Sequence, residues 1–401
     1  MKESFKVNGT LYQKINKPIV GICLDGTSPA YIEAAIESGY MPVIKKLKQN
    51  KYFTTATSVM PSFTNPNNIA IITGTNSAEN GICGNYFYDS EQDCEVMMDR
   101  PEFLRVPTIL EIASLSGYRV AAVTAKNKLL KLLSKGWKGI AFSGEMADQA
   151  IFADIGNVAE ELGEAPPHYS KASINRYTMQ AAYLAFCRTS PDLMYISLSD
   201  CVQHRAAPGE EEANIMLSEI DEIIGKFIHN GARIGLTADH GMNYKIKADG
   251  TPNIVYLEDV ITRLATGKIR VVLPITDPYV THHAALGSFA TVYCPARERE
   301  LIKDTLSNTG GIAEVLTKKE ACEKYILPAD RVGDIVILAD RDTVFGKSPA
   351  NHDLSRLKGL LRSHGGLSET AVPFILSKKV YENQRKKIKN WELFDYLINR
   401  C

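Results

Sequence analysis

The segment Arg233-Ile-Gly-Leu-Thr-Ala-Asp-His-Gly-Met242 decides the fold of this chain. Its first part, Arg233–Thr237, is a short and mostly apolar run of the length that is typical of a buried strand. Asp239 and His240 follow directly, where the chain is expected to turn. The segment therefore predicts a strand that ends in an acid and an imidazole, and other parts of the sequence repeat this arrangement.

Several other apolar runs are also followed by polar turns and then by helical patterns. The predicted buried segments are Pro18–Leu24, Asn68–Thr73, Arg119–Val123, Asp192–Leu198 and Arg233–Thr237. The predicted helices lie near Pro29–Ser38 and over Ser173–Arg188 and Glu210–His229. Buried strands that alternate with helices predict an α/β fold, with a mostly parallel sheet that carries helices on both faces.

The pattern changes in the region from about Tyr244 to Asn351. The strand-like pieces there are Arg270–Leu273, Gly287–Cys294 and Asp334–Ala339, and a helical pattern covers Ala296–Asn308. We predict that residues 244–351 form a smaller inserted α+β cap domain. Residues 1–243 and 352–401 would then form one catalytic α/β metal-binding domain.

The bulk composition limits the classes of function. Lys plus Arg and Asp plus Glu both number 46, and a net formal charge of zero argues against a nucleic-acid or acidic-membrane partner. The stretch Met1–Lys17 lacks the apolar core of a signal peptide, and Pro18–Leu24 is too short to span a membrane. The 8 cysteines include no Cys-x-x-Cys pair, which favours reduced thiols in a cytoplasmic protein.

Side chains that commonly bind metals stand at or near the predicted strand ends. They are Asp25, Asp200, His204, Asp239, His240 and His364. Because the carboxyl ends of parallel strands gather at one edge of a sheet, these groups can converge on a pair of divalent metal ions. Taken singly, each group also has a structural interpretation, as a turn residue, a helix cap or a surface side chain.

Three further polar groups suit chemistry on an anion. Thr64, in the proline-flanked stretch Met60–Asn67, is either a helix cap or a nucleophile, and the positive end of a helix dipole favours both. Asn85 is either a turn residue or a donor to a phosphoryl oxygen. Lys126 and Lys128 follow a predicted strand end and are either solvated or bind an anion.

Together these motifs resemble the alkaline phosphatase superfamily. The resemblance is greatest to the nucleotide pyrophosphatase/phosphodiesterase branch and, within it, to the phosphonoacetate hydrolases. It extends from about Pro18 to about Ser377, and the matching stretches are Ile22–Gly26, Met60–Asn67, Gly81–Asn85, Asp200–His204, Thr237–Met242 and His364–Gly366. A threonine at position 64, in place of serine or cysteine, separates the chain from the phosphoglycerate mutase and sulfatase branches.

The resemblance implies an alkaline-phosphatase-like fold and two Zn²⁺ ions. The implied ligands are Asp200, His204 and His364 for one ion, and Asp25, Asp239, His240 and the nucleophile Thr64 for the other. Asn85 would donate to a non-bridging oxygen of the substrate. Lys126 and Lys128 would bind the substrate's carboxylate, although this chain has Asn127 where the resemblance implies an acidic residue.

The implied activity is hydrolysis of the carbon–phosphorus bond of phosphonoacetate, through a phosphothreonine intermediate, to acetate and phosphate. The expected partner is this small anionic phosphonate, and a homodimer is left open. An alternative is a phosphodiesterase or nucleotide pyrophosphatase, in which Phe63, Tyr86 and Tyr88 would form an aromatic slot for a base. A non-catalytic metal-binding protein is a third alternative, against which the intact nucleophile argues. His282 and His283, in the predicted cap, are left unassigned.

Overall fold

Strands and helices alternate along most of the chain in the computed structural model, which describes residues 2–261, 267–277, 283–357, 360–380 and 387–401. The strands are β1 (Phe5–Val7), β2 (Thr10–Tyr12), β3 (Ile19–Cys23), β4 (Tyr52–Thr57), β5 (Tyr86–Asp89), β6 (Cys94–Met97), β7 (Val120–Thr124), β8 (Ile140–Ser143), β9 (Ile151–Phe152), β10 (Gly156–Asn157), β11 (Leu193–Ser197), β12 (Arg233–Thr237), β13 (Asn243–Tyr244), β14 (Ile254–Tyr256), β15 (Arg270–Val272), β16 (Phe289–Tyr293), β17 (Ile312–Thr317), β18 (Ile335–Ala339), β19 (Val344–Gly346), β20 (Arg362–Ser363) and β21 (Ala371–Leu376). The α-helices are α1 (Pro29–Glu37), α2 (Pro42–Asn50), α3 (Thr64–Thr73), α4 (Ser77–Asn80), α5 (Ile109–Leu115), α6 (Asn127–Leu133), α7 (Val158–Leu162), α8 (Ser173–Thr189), α9 (Glu211–His229), α10 (Leu257–Ile261), α11 (Arg299–Ser307), α12 (Lys318–Tyr325) and α13 (Leu393–Asp395).

A seven-stranded sheet forms the centre of the molecule, with the strand order β4-β21-β12-β3-β11-β7-β8. The strands β12, β3, β11, β7 and β8 pair in parallel, and β21 runs antiparallel to both of its neighbours. Helices lie on both faces of the sheet. The predicted α/β fold with a mostly parallel sheet is therefore confirmed.

The register of the four central strands aligns their carboxyl ends. The last paired residues form one row across the sheet, in the order Thr237, Cys23, Ser197 and Thr124. Two or three residues beyond this row stand Asp239, Asp25, Asp200 and Lys126. Because paired strands lie about 5 Å apart, this register brings the four charged side chains to one edge of the sheet.

Small residues in the strands allow other elements to pack closely on the sheet. A Cβ atom at Gly21 of β3 would lie 2.7 Å from the ring of Phe394, and one at Gly235 of β12 would lie 2.7 Å from Leu397. The C-terminal helical segment therefore packs directly on the two strands that lead to Asp25 and Asp239. Among the described residues, no helix is both long and apolar enough to cross a membrane.

A second, four-stranded antiparallel sheet has the order β15-β16-β18-β17. The helices α11 and α12 pack against its edge strand β17. This arrangement has the α+β character that the sequence predicts for residues 244–351. The exact domain boundaries at 243/244 and 351/352 stay a prediction.

One predicted strand is wrong. The apolar run Asn68–Thr73 lies in helix α3, which begins at Thr64. Every residue from Asn65 to Thr73 is buried, so this part of the helix has no solvent-exposed face. Its sequence therefore lacks the period that distinguishes a helix from a buried strand. The consequence for function is that Thr64 stands at the amino end of a buried helix.

Candidate active site

Three of the predicted ligands form one compact group. A ligand atom of Asp200, one of His204 and one of His364 all lie within 4.8 Å of one another. His204 follows Asp200 by one turn of the chain, and its backbone N–H donates to the Asp200 carbonyl at 3.1 Å. His364 comes from the loop after β20. The two parts of the chain thus supply a carboxylate and two imidazoles to one buried point.

A second group lies beside the first and shares Asp200 with it. Asp25, Asp200 and His240 also offer ligand atoms within 4.8 Å of one another. The Nε2 atom of His240 is 3.3 Å from Asp25 Oδ1 and 3.9 Å from Asp239 Oδ2. All six predicted carboxylate and imidazole ligands therefore meet at one end of the sheet.

The three histidines are oriented in the same way by backbone carbonyls. The Nδ1 atoms of His204, His240 and His364 donate to the carbonyls of Arg362, Gly241 and Ser62, at 2.9, 2.8 and 2.9 Å. With Nδ1 engaged in this way, each ring presents Nε2 to the centre of the site. This second hydrogen bond is the usual companion of a metal-binding imidazole, because it fixes the tautomer and the orientation of the ring.

The residues of the site fit divalent cations. Both carboxylate oxygens of Asp25 are buried and accept no hydrogen bond from the described residues. An ionised carboxylate in such a place requires a cation or hydrogen-bond donors, because its burial is otherwise costly. Imidazole and carboxylate together are a donor set that zinc accepts.

Electrostatics at the site favour a bound positive charge. Burial raises the pKa of Asp239 well above its usual value, and the Asp25 carboxylate raises it further. Burial alone would lower the pKa of His240, but Asp239 and Asp25 together raise it to about 9. The pKa of His364 lies well below its usual value, because burial and then the nearby His240 disfavour its protonation. The crowding of Asp25 and Asp239 thus favours a positive charge between them.

Asp239 is held by the backbone and by the helix that carries Thr64. Its Oδ1 atom accepts from the backbone N–H groups of Gly26 and His240, at 3.1 and 3.0 Å. Its Oδ2 atom accepts from the side-chain amide of Asn68, at 3.1 Å. Asn68 stands one helical turn after Thr64, so this contact ties the position of the helix to a metal-type carboxylate.

Thr64 lies at the centre of the constellation. Its Oγ1 atom is 3.4 Å from Nε2 of His240. As the first residue of α3, it stands where unpaired backbone N–H groups and the helix dipole favour negative charge. The geometry brings a hydroxyl, a helix terminus and the metal-type side chains together, as the sequence predicted.

The two lysines have different neighbours. Lys126 Nζ lies 2.6 Å from Asp200 Oδ1 and 3.5 Å from Asp25 Oδ2. Lys128 Nζ lies 2.6 Å from an oxygen of Asp277. Both ammonium groups are nearly buried, which contradicts the interpretation of this pair as ordinary solvated lysines.

A small cavity lies between these groups. Its walls include metal-type ligands, the threonine, one lysine and parts of the insertion, and the lining residues are Thr64, Asn85, Lys126, Asp200, His204, Ile275, Asp277, His283 and His364. The Asn85 side-chain amide donates to the Ile275 carbonyl and to Asp277, at 3.2 and 3.0 Å.

The sequence analysis missed two residues of the site and left a third without a role. In the sequence, Asp277 precedes Pro278 and cannot be distinguished from an ordinary acidic residue in a turn. No regular spacing relates it to Asn85. Asn68 could have been found, because it follows Thr64 by four residues in what is a helix. His283 is buried near His204, with ring centroids 5.5 Å apart, and His282 lies outside the described residues.

Two of the three aromatic residues that the alternative function requires, Phe63 and Tyr88, are engaged elsewhere. The ring of Phe63 is fully buried and packs edge-on against Phe289 and His364. Tyr88 packs against Tyr293. Neither ring lines the cavity that contains Thr64.

Comparisons with known proteins identify the family of this chain. A model of the type I phosphodiesterase / nucleotide pyrophosphatase family matches residues 19–367. The chain is 42% identical to phosphonoacetate hydrolase from Sinorhizobium meliloti 1021, whose structures contain phosphonoformate or phosphonoacetate. That match has a TM-score of 0.95 and covers 100% of this chain and 99% of the other.

More distant structures share the fold alone. Murine ectonucleotide pyrophosphatase / phosphodiesterase 5 is 16% identical with a TM-score of 0.65, and the match covers 96% of each chain. The human counterpart is 15% identical with a TM-score of 0.64. From the family match over most of its length and the geometry of its site, the chain belongs to the type I phosphodiesterase / nucleotide pyrophosphatase family, within the alkaline phosphatase superfamily.

Proposed function

We propose that this protein is a di-zinc hydrolase that cleaves the carbon–phosphorus bond of phosphonoacetate to give acetate and phosphate. The observation that carries the proposal is the full-length match, at 42% identity, to a phosphonoacetate hydrolase. The cluster of metal-type ligands around Thr64 and the two nearly buried lysines support it. A cytoplasmic location and the division into a catalytic domain and a cap belong to the same proposal.

The proposed metal ligands are those implied by the sequence. One ion would be held by Asp200, His204 and His364, and the ligands of the other would be Asp25, Asp239, His240 and Thr64. Bound zinc would supply Lewis-acid charge, which lowers the pKa of a hydroxyl group and stabilises negative charge on phosphoryl oxygens. The shared position of Asp200 between the two groups is consistent with a pair of neighbouring ions.

Thr64 is the proposed nucleophile. Its oxygen forms a bond to phosphorus, and its proton leaves to solvent, while the carbon–phosphorus bond opposite to the attacking oxygen breaks. Asn85 donates to a non-bridging oxygen and stabilises the charge that develops there. The product of this step is a phosphothreonine at position 64.

The two lysines are needed because the leaving group develops negative charge. A simple alkyl carbanion is too basic to leave, but the acetate fragment departs as an enolate, with the electron pair spread into its carboxylate. The ammonium groups of Lys126 and Lys128 offset this charge. The enolate carbon then takes a proton from water, which gives acetate. A second water attacks phosphorus, releases phosphate and restores the Thr64 hydroxyl.

The test is phosphate release from phosphonoacetate by the zinc-loaded protein. We expect turnover that is lost after dialysis against a chelator and restored by zinc. Absence of phosphate release from zinc-loaded, folded protein would contradict the proposed function. Activity that survives complete metal removal would contradict the role of the metals.

A substrate panel distinguishes the alternative. A phosphodiesterase or nucleotide pyrophosphatase would hydrolyse a nitrophenyl phosphodiester faster than phosphonoacetate, and we expect the reverse. Replacement of Lys126 or Lys128 by alanine should reduce phosphonoacetate cleavage far more than phosphodiester cleavage. Equal losses on both substrates would show that the lysines do not recognise the carboxylate.

A further inference from the structure

We propose that Asp277 is a positioning residue. It fixes the distance between Lys128, the donor to the substrate's carboxylate, and Asn85, the donor to its phosphoryl group. In this way it selects phosphonates by length. This inference rests on the proposed function and deepens it. Asp277 belongs to the insertion, whereas the two donors that it contacts, Lys128 and Asn85, belong to the main part of the chain.

One oxygen atom of Asp277 makes both contacts. Its Oδ2 atom accepts from Lys128 Nζ at 2.6 Å and from Asn85 Nδ2 at 3.0 Å. Because both nitrogens bind the same atom, their separation cannot exceed these two distances together. A shared carboxylate oxygen is therefore a spacer between a cationic group and a neutral donor, and both Asn85 and Asp277 line the cavity.

The spacer is itself held firmly. The side chains of Asp277 and Lys128 are only 9% and 5% exposed, so the pair is poorly screened by solvent. The preceding segment docks on Asn85, whose backbone N–H donates to the Pro274 carbonyl at 2.8 Å and whose side chain donates to the Ile275 carbonyl at 3.2 Å. These hydrogen bonds thus fix the position of the segment that ends in Asp277.

The charge state of Asp277 supports a lasting ion pair. Burial alone would raise its pKa, but the neighbouring positive charge of Lys128, followed by His283, lowers the pKa below its usual value. Asp277 is therefore an anion at neutral pH. An ionised carboxylate between two donors restricts their motion more than a neutral group does.

The chemistry of the substrate makes spacing important. In phosphonoacetate one carbon separates the carboxylate from phosphorus. Phosphonoformate has no such carbon, and 3-phosphonopropionate has two. Lys128 would bind the carboxylate, and Asn85 would keep its hydrogen bond to Asp277 while it exchanges the one to the Ile275 carbonyl for one to a phosphoryl oxygen. A distance between these donors that is fixed by Asp277 then favours one length over the others.

Equilibrium binding of these three phosphonates tests the inference. The measurement is calorimetry on zinc-loaded protein with the Thr64→Ala substitution, so that phosphonoacetate is not consumed. With Asp277 present, we expect phosphonoacetate to bind more tightly than 3-phosphonopropionate. Asp277→Ala should reduce this ratio of dissociation constants by roughly tenfold or more, as expected for the loss of hydrogen bonds to a charged group, and Asp277→Asn should reduce it less.

Glu95→Gln is the matched control. Glu95 forms an ion pair with Lys347 at 3.0 Å, which also joins the insertion to the main part of the chain but lies outside the cavity. This control should leave the ratio unchanged. A folded Asp277→Ala protein with the same ratio as its parent, whatever its overall affinity, would overturn the inference. If Asp277→Ala does not fold, the same criterion applies to Asp277→Asn.

Failure of the proposed function has a different signature. It would appear as an absence of phosphate release by the protein that retains Thr64, whereas the length preference is measured by binding alone. A preference that depends on Asp277, without turnover, would support the spacer and reject the hydrolase. Turnover of phosphonoacetate, together with a length preference that does not depend on Asp277, would support the hydrolase and reject the spacer.

Discussion

At the scale of single residues, the site depends on which atom of each side chain faces its centre. The three histidines bind backbone carbonyls through Nδ1 and turn Nε2 inward. The Asp25 carboxylate lies within 3.5 Å of the His240 ring and the Lys126 ammonium, and Thr64 places its oxygen beside His240. A single substitution in the site should therefore be able to abolish turnover without abolishing metal binding.

Thr64→Ala should abolish turnover and leave metal binding largely intact. The six carboxylate and imidazole ligands remain, whereas the oxygen that attacks phosphorus is lost. Loss of a nucleophile reduces kcat by about 10³-fold or more, and a phosphate-release assay together with metal analysis measures both properties. Thr73→Ala is the control, because the Thr73 hydroxyl, at the other end of α3, only donates to a backbone carbonyl. Turnover retained in Thr64→Ala would exclude threonine as the nucleophile.

Asn68→Ala should weaken metal binding and lower kcat by about 10- to 100-fold, the usual cost of removing a partner of a metal ligand. Asn68 donates to Asp239 and accepts from the Tyr195 hydroxyl at 2.7 Å. Zinc titration against a competing chelator gives the affinity. Tyr195→Phe, which removes only the outer hydrogen bond, should have a smaller effect. Unchanged zinc affinity in Asn68→Ala would show that Asp239 does not need this contact.

At the scale of elements, the strand ends were predictable and their partners in the loops were not. Asp239 could be predicted because it follows a short apolar run, and the parallel arrangement then places Asp25 and Asp200 beside it. The position of Asp277 depends on how the insertion packs on Asn85, and no periodicity in the sequence encodes this. Helix α3 was mistaken for a strand because burial on all sides removes the pattern on which the prediction relied.

The loop after β20 holds His364 through a glycine with an unusual backbone conformation. Gly365 has a φ of 114°, and a Cβ atom there would lie 2.2 Å from the ring of Phe63, which precedes Thr64. Alanine is strained at such a φ and has no space there. The loop therefore links His364 to the segment of the proposed nucleophile, Thr64, through one close contact between Gly365 and Phe63.

Gly365→Ala should destabilise the protein by about 2 kcal/mol or more and should also reduce turnover, because the new methyl group displaces either Phe63 or His364. Denaturant unfolding and the phosphate-release assay measure the two effects. Gly310→Ala is the control, since Gly310 is exposed and its Cβ position is open. Equal stability of the two variants would mean that the loop adapts without strain.

At the scale of the whole molecule, a buried ion pair connects the segment that follows β13 with the loops that carry His240 and His364. Lys245 and Glu369 are fully buried and 3.0 Å apart, and Lys245 also donates to the Arg341 carbonyl. Glu369 accepts from the backbone N–H of Gly366 through its side chain and from that of Gly241 through its carbonyl. Since Gly241 follows His240, a single residue supports two ligand-bearing loops.

Glu369→Gln should lower stability by about 3–5 kcal/mol, because it leaves the Lys245 ammonium buried without its carboxylate. The double variant Lys245→Met, Glu369→Gln should recover part of this loss. Unfolding in urea gives the comparison, with Glu222→Gln as a control in which an exposed pair with Lys226 is broken at a cost below about 1 kcal/mol. If Glu369→Gln is as stable as the Glu222→Gln control, the buried Lys245 ammonium group must find another partner.

The spread of the ligands along the chain, from Asp25 to His364, has a consequence for biosynthesis. The first carboxylate, Asp25, and the last imidazole, His364, are 339 residues apart (364 − 25) in the sequence. Contacts of such high sequence separation form late, because long loops must close before they are stabilised. A nascent chain that lacks His364 therefore has no complete set of predicted ligands, and we expect metal loading to follow the closure of these long loops.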